Sequence, residues 1–152
     1  MITRRTFLAA SAAAPIALSL ATPARAEEPP VFANGGVAIN GYDPVAYFTE
    51  ERPVEGSPDF AAEHDGATFH FVSAENRDLF AADPATYAPQ YGGYCAYAVS
   101  RGYTASTSPN AWTVHEGKLY LNFNRAVRAL WSRDIPGNIT EGDRNWPSVL
   151  SS

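Results

Sequence analysis

The sequence contains one cysteine, Cys95, which follows two glycines and lies between two tyrosines in the stretch YGGYCAYAVSRG. A single cysteine cannot form a disulfide within its own chain. It is either a small buried side chain, an exposed link to another molecule, or a thiol that acts as a nucleophile or binds a metal ion. If a helix begins at this point, the free N–H groups of its first turn favour the thiolate. No motif around Cys95 decides between these roles.

Three histidines are the remaining candidates for a site with this thiol, and they are His64, His70 and His115. No His-x-x-x-His or Cys-x-x-Cys pair is present, so none of these residues has the spacing of a typical metal site. A two-residue hairpin turn at Asp65-Gly66 places His64 on the apolar face of the hairpin and His70 on the opposite face. The pattern favours a hydrogen-bonded core histidine at His64 and a solvated one at His115.

Other catalytic sites have little support in the sequence. No serine lies in the G-x-S-x-G motif of the serine hydrolases. Gly92-Gly93 lacks the third glycine and the preceding strand of a dinucleotide-binding loop. A dyad of Cys95 with a histidine stays open. Four of the eight tyrosines lie between residues 87 and 97, where they either pack in the core or line a pocket.

Two segments, which start at residues 64 and 115, resemble each other with a constant offset of 51 residues. Eight positions match in this register, among them the turn dipeptides Asp65-Gly66 and Glu116-Gly117. Such dipeptides are typical of two-residue hairpin turns. Ser73 and Asn124 are good N-cap residues for the helices that follow the hairpins. The sequence thus predicts an internal repeat of two hairpin-plus-helix units that pack together.

In the second hairpin, strict alternation predicts one apolar face and one more polar face. The polar face holds His115 and Tyr120, together with Thr113 and Lys118. The apolar face is formed by Trp112, Val114, Leu119, Leu121 and Phe123.

Shorter elements complete the predicted domain. Asp43 is expected to cap a short helix that begins at Pro44. A turn-rich connector precedes a second short helix, from Cys95 to Arg101, which Gly102 ends. Residues 27–39 read as a flexible leader, and residues 40–150 as one domain. The predicted class is a small α+β domain.

The N-terminus has the features of an export signal. Arg4-Arg5 precedes a weakly apolar, alanine-rich run, and Ala24-Arg25-Ala26 is a small-x-small cleavage site. The paired arginines indicate a twin-arginine-type signal over residues 1–26. Removing it leaves 8 basic and 16 acidic residues, since three of the 11 basic residues lie within the signal. The mature protein is therefore expected to be soluble and periplasmic, without a membrane anchor and with no affinity for nucleic acid.

The chain resembles the YHS-domain family in two stretches, GYDPVAYF and GATFHFVSAENRDLFAADPATYAPQYGGYCA, which cover about residues 40–105. In that family an Asp-Pro-Val-Cys start precedes an aromatic strand, a Cys-Ser-x-x-Cys motif, and then Phe, Pro and Tyr. The positions that match this pattern here are Asp43, Pro44, Val45, Phe69, Phe71, Ser73, Phe80, Pro84 and Tyr87. The resemblance implies the fold of an exported member of the family.

The resemblance also implies metal binding, which the family performs through its cysteines. This chain departs from the family at all three, because Ala46, Val72 and Asn76 occupy those positions. A related exported subgroup carries YGGYCA, which makes Cys95 a replacement ligand. A thiolate with an imidazole favours copper or zinc, and copper is the first expectation.

Three hypotheses follow from the sequence. The leading one is a periplasmic YHS-like binding protein that binds a transition metal through Cys95 and one histidine. The second is a thiol redox or nucleophilic enzyme that uses Cys95. The third is a structural or small-ligand-binding module in which Cys95 is buried and the tyrosine-rich connector forms a pocket. A binding protein is favoured over an enzyme.

Overall fold

The computed structural model describes residues 27–151, and the signal predicted at residues 1–26 lies outside this range. Its strands are β1 (Ala33–Asn34), β2 (Val37–Ala38), β3 (Ser57–His64), β4 (Ala67–Phe71), β5 (Trp112–His115) and β6 (Lys118–Leu121). Its α-helices are α1 (Ala46–Thr49), α2 (Ala74–Ala82), α3 (Pro84–Tyr87), α4 (Ala96–Ser100), α5 (Arg125–Trp131) and α6 (Ile135–Asn145). Short 3-10 turns span Ile39–Gly41, Gln90–Gly93, Ser132–Asp134 and Ser148–Ser151. The α+β class is confirmed.

The strands form two separate sheets. The first has the order β1-β2-β4-β3, and the second contains only β5 and β6. In the first sheet β2 pairs with β4 in parallel, whereas the other pairs are antiparallel. Between residues 27 and 151, no helix is long and apolar enough to cross a lipid bilayer.

Both hairpins turn where the sequence predicts. Asp65 and Gly66 have positive φ angles of 49° and 82°, and Glu116 and Gly117 have angles of 50° and 75°. This is the geometry of a type I′ turn, whose twist matches that of the two strands. In the first hairpin His64 pairs with Ala67, so His64 lies on the same face as Phe69, as predicted.

A capped helix follows each hairpin, as the sequence predicts. The Ser73 hydroxyl accepts from the backbone N–H of Asn76 at the start of α2. The Asn124 side chain accepts from the backbone N–H of Val127 at the start of α5. Satisfying free N–H groups in this way stabilises each helix start. The molecule thus contains two hairpin-plus-helix units, and their origin as an internal repeat stays a prediction.

Residues 119–121 of β6 are buried on both faces of the strand, which the alternation argument did not predict. Leu119 and Leu121 join the core around Phe69, whereas Tyr120 packs against Trp131 in a second core. Tyr120 is therefore 2% exposed and not on a wet face. Phe123, expected on the apolar face, is 49% exposed because β6 ends at residue 121 and the alternation ends with it.

The segment expected as a flexible leader packs against the domain instead. Val31 is buried, and the backbone N–H of Phe32 donates to the Gly92 carbonyl at 2.9 Å. The Tyr94 hydroxyl donates to the carbonyl of Pro29 at 2.7 Å. Residues 33–38 then form β1 and β2. The leader is held because the tyrosine-rich connector supplies hydrogen-bond partners that a local sequence pattern does not reveal.

Candidate functional site

Cys95 is buried at the N-cap of α4, where its side chain is engaged within the protein. Its exposed fraction is 1%. The Sγ atom accepts from the backbone N–H of Phe123 at 3.3 Å and lies 3.5 Å from Oδ1 of Asn122, to which the thiol donates. Both partners follow β6, so the thiol joins α4 to the end of the second hairpin. Cys95 thus has the contacts of a buried structural thiol.

Asn122 completes this junction from the other side. Its Oδ1 atom also accepts from the backbone N–H of Tyr97 at 3.0 Å, which caps α4 from outside the helix. The side chain is fully buried, and its Nδ2 atom has no hydrogen-bond partner in the described part of the chain. A second polar group therefore shares the buried surroundings of the thiol.

Asp43 makes comparable contacts at the start of α1. Its Oδ1 atom accepts from the backbone N–H groups of Val45 and Ala46, at 2.8 and 3.4 Å. Its Oδ2 atom accepts from the backbone N–H of Val72, which follows β4 as Phe123 follows β6. A side chain at the start of a short helix thus contacts the end of a hairpin at two places, with α1 beside the first hairpin and α4 beside the second. For Cys95 this is a structural role.

The three histidines lie in different surroundings. His64 has its ring 5.7 Å from the ring of Phe80, and its Nε2 atom lies 3.3 Å from the Asp65 carboxylate. His70 lines a separate cleft beside Gly41. His115 has its Nε2 atom 3.9 Å from the Glu116 carboxylate.

Three or more of these side chains do not come together in the described part of the chain. Among residues 27–151, no three histidine, cysteine, aspartate or glutamate side chains come together as a group that could hold a metal ion. The expected ligands Cys95, His64, His70 and His115 thus do not form one cluster. The pairing of Cys95 with a single histidine stays a prediction.

A cavity of about 320 Å³ lies elsewhere, between the first hairpin turn, the connector and the C-terminal segment. This volume is at the lower end of the range for small-molecule sites in proteins. Fourteen of the described residues line it, and they are Pro30, Val31, His64, Asp65, Phe69, Ala85, Ala88, Pro89, Gln90, Tyr91, Gly92, Trp146, Pro147 and Leu150. Apolar and aromatic side chains predominate, with a small set of polar groups beside them.

Tyr91 forms part of one wall of the cavity, and its own backbone has an unusual conformation. It has a φ angle of 57°, in the left-handed region that residues other than glycine rarely adopt. Its hydroxyl donates to the Asp143 carboxylate at 3.0 Å. Burial, with a further contribution from this hydrogen bond to Asp143, raises the pKa of Tyr91 well above its ordinary value. Tyr91 therefore stays neutral, with its hydroxyl bound to Asp143. Trp146 packs beside it with the ring centroids 6.0 Å apart.

The sequence contains only part of the signal for this cavity. The density of tyrosines between residues 87 and 97 predicts either a pocket or core packing, and Tyr91 does line a wall. The leader and the C-terminal segment supply other walls, and neither has a motif that points to a binding site. His64, one of the three candidate partners of Cys95, lines this cavity, whereas Cys95 is not among the lining residues.

Comparison of the chain with protein-family models, curated proteins and solved structures finds no match.

The contacts of Cys95 predict a thiol that reagents reach only when the protein opens. We expect an aromatic disulfide reagent to react with native Cys95 at least about a hundredfold more slowly than with the unfolded chain. The control is a Cys95→Ser, Ser106→Cys double variant, because Ser106 is exposed and a thiol there reacts at once. Equal rates for the two thiols in native buffer would contradict the buried structural role.

Proposed function

We propose that this protein is an exported, periplasmic binding protein for a small molecule, and that the aromatic cavity is its ligand site. The observation that carries this proposal is the cavity of about 320 Å³ walled by Phe69, Tyr91 and Trp146. Concave, mostly apolar sites with a small number of polar groups are where proteins bind small ligands. Here the polar groups are His64, Asp65 and Gln90.

The cavity favours binding over catalysis. None of its lining residues within the described chain is a serine, threonine, cysteine or lysine, so the usual side-chain nucleophiles do not face it. His64 lies beside Asp65, an arrangement that orients an imidazole, but no nucleophile follows it. The pair is therefore assigned to holding a ligand.

The resemblance to the YHS-domain family is compatible with this proposal because it concerns residues that hold the fold together. The residues that match the family pattern have structural roles here. Asp43 anchors the first hairpin, Ser73 caps α2, and Phe69 and Phe80 pack in the core. A scaffold of this kind can hold different ligands in different proteins.

Copper binding at Cys95 is the rival proposal, and it has less support because the thiol is buried and already engaged. It predicts near-stoichiometric metal in protein purified without chelators, and loss of that metal in a Cys95→Ser variant. Our proposal predicts metal contents that do not differ between the two proteins, even after copper or zinc is offered.

The ligand site is tested with a neutral aromatic probe, para-tert-butylbenzyl alcohol. We expect it to bind with a Kd of about 1 mM or below, given the free energy available to a ligand of this size. Backbone amide NMR shifts are expected to saturate together at His64, Gln90 and Gly92. An Ala85→Phe variant fills the cavity and is expected to weaken binding at least about tenfold, because Ala85 lines it.

The matched control is Ala82→Phe, since Ala82 is also an exposed helical alanine but does not line the cavity. Binding to this variant is expected to equal that of the parent protein. Probe-dependent shifts that scatter over the surface, or that persist unchanged in Ala85→Phe, would contradict the proposed site.

A further inference from the structure

The charge of the residues that line the cavity is negative, which indicates the chemical class of its ligand. Among the described residues that line it, none is a lysine or an arginine, and the one carboxylate belongs to Asp65. The described chain carries 16 acidic and 8 basic residues, so the wider field is also negative. A ligand anion would meet no lysine or arginine among these residues. The charge distribution therefore selects against anions.

The aromatic walls favour a positive charge for a second, independent reason. The face of a tyrosine or tryptophan ring carries negative charge and attracts a cation near its centre. Tyr91 and Trp146 both line the cavity, and Phe69 forms a further part of its wall. The hydroxyl of Tyr91 points to Asp143, so its polar end is engaged outside the ligand site.

We propose that the cavity takes an organic cation, an amine or quaternary ammonium group attached to an apolar body. This inference rests on the proposed function, and it adds the chemical class of the ligand. The body packs against the proline, alanine and leucine side chains of the cavity. The charged group is held by the aromatic faces and by Asp65, whose side chain is 59% exposed at the turn of the first hairpin.

The test compares two isosteric probes, one neutral and one cationic, with a third probe that carries an anionic group on the same ring. They are para-tert-butylbenzyl alcohol, its cationic isostere para-(hydroxymethyl)phenyltrimethylammonium, and the anion para-(hydroxymethyl)benzoate. We expect the cation to bind about tenfold more tightly than the neutral alcohol, the size of a partly desolvated cation–π contact with help from a carboxylate. The anion is expected to bind more weakly than either.

Asp65→Asn tests the carboxylate without disturbing the turn, because asparagine before glycine suits a type I′ turn as well as aspartate does. We expect the preference for the cation to fall from about tenfold to about threefold, with the Kd of the neutral probe unchanged. Glu116→Gln is the matched control, since it makes the same charge change at the turn of the other hairpin, outside the cavity.

The outcomes separate the two proposals. If the neutral probe binds in the cavity as tightly as the cation, the cation inference is wrong and the ligand site stands. If no probe binds in the cavity, both are wrong. An equal loss of cation binding in Asp65→Asn and Glu116→Gln would assign the preference to net charge and overturn the role of Asp65.

Discussion

Replacing Asp43 with asparagine is expected to destabilise the protein by about 3 kcal/mol, since hydrogen bonds to a charged group contribute about 1.5–3 kcal/mol each. The carboxylate is fully buried, and Oδ2 accepts from the backbone N–H of Val72 at 2.9 Å and from Nδ2 of Asn76 at 2.8 Å. Oδ1 accepts from the backbone N–H groups of Val45 and Ala46, at the start of α1. In asparagine an NH2 group replaces one of the two carboxylate oxygens. The N–H donors that faced that oxygen then lose their acceptor while they stay buried.

Chemical denaturation measures this loss as a lower midpoint with an unchanged dependence on denaturant concentration. Asp59→Asn is the control, because Asp59 is exposed and the same chemical change there is expected to shift stability by less than about 0.5 kcal/mol. A loss below about 1 kcal/mol in Asp43→Asn would show that the buried carboxylate does not hold α1 to the end of β4.

Gly92→Ala is expected to destabilise the protein by about 3 kcal/mol and to abolish ligand binding in the cavity. Gly92 has a φ angle of 61°, and a Cβ atom there would clash with the carbonyl oxygen of Pro30 and lie 3.3 Å from the Trp146 ring. The leader crosses directly over this glycine and bonds to it through Phe32. A methyl group must therefore displace the leader, which forms part of the cavity wall.

Gly35→Ala separates the steric effect from the backbone effect. Gly35 has a φ angle of 57°, and no atom lies within 4 Å of a Cβ atom placed there. Gly35→Ala is therefore expected to lose only about 1 kcal/mol of stability, the cost of placing alanine in the left-handed region. Both variants are compared by thermal and chemical denaturation and by titration with para-tert-butylbenzyl alcohol. Equal destabilisation of the two variants, with binding retained in both, would contradict the packing of the leader on the connector.

Local chemistry explains which parts of the fold are predictable from the sequence. Asp65-Gly66 predicts a type I′ turn because both positions need positive φ angles, and the turn forms there. Ser73 and Asn124 predict helix starts because their oxygen atoms reach N–H groups only three residues away. The α+β class follows from these short-range signals.

Long-range contacts explain why the structure differs from the sequence-based predictions for Tyr120 and the leader. Alternation places Tyr120 on a wet face because it assumes that one face of a hairpin meets solvent, whereas Trp131 packs on the Tyr120 ring. The leader was expected to be flexible because its own sequence contains no partner for it. Its partners, Gly92 and Tyr94, lie about 60 residues away in the chain.

The surroundings of Cys95 and the cavity also depend on contacts between residues that are far apart in the sequence. The sequence leaves Cys95 open between a thiolate at a helix start and a small buried side chain. The residues that contact its thiol, Asn122 and Phe123, are separated from it by the whole second hairpin. The cavity combines the leader, the first hairpin turn, the connector and the C-terminal segment. Motif spacing relates residues that are close in sequence. A cavity formed by four segments far apart in the chain therefore has no sequence motif that would reveal it.

The position of the bound probe tests the ligand site most directly. We expect intermolecular nuclear Overhauser effects from the methyl protons of para-tert-butylbenzyl alcohol to the ring protons of Trp146 and Tyr91, since both rings line the cavity. The Ala85→Phe variant is expected to lose them. Effects confined to Tyr47 and Trp112, whose rings line a different cleft between α1 and β5, would contradict the account.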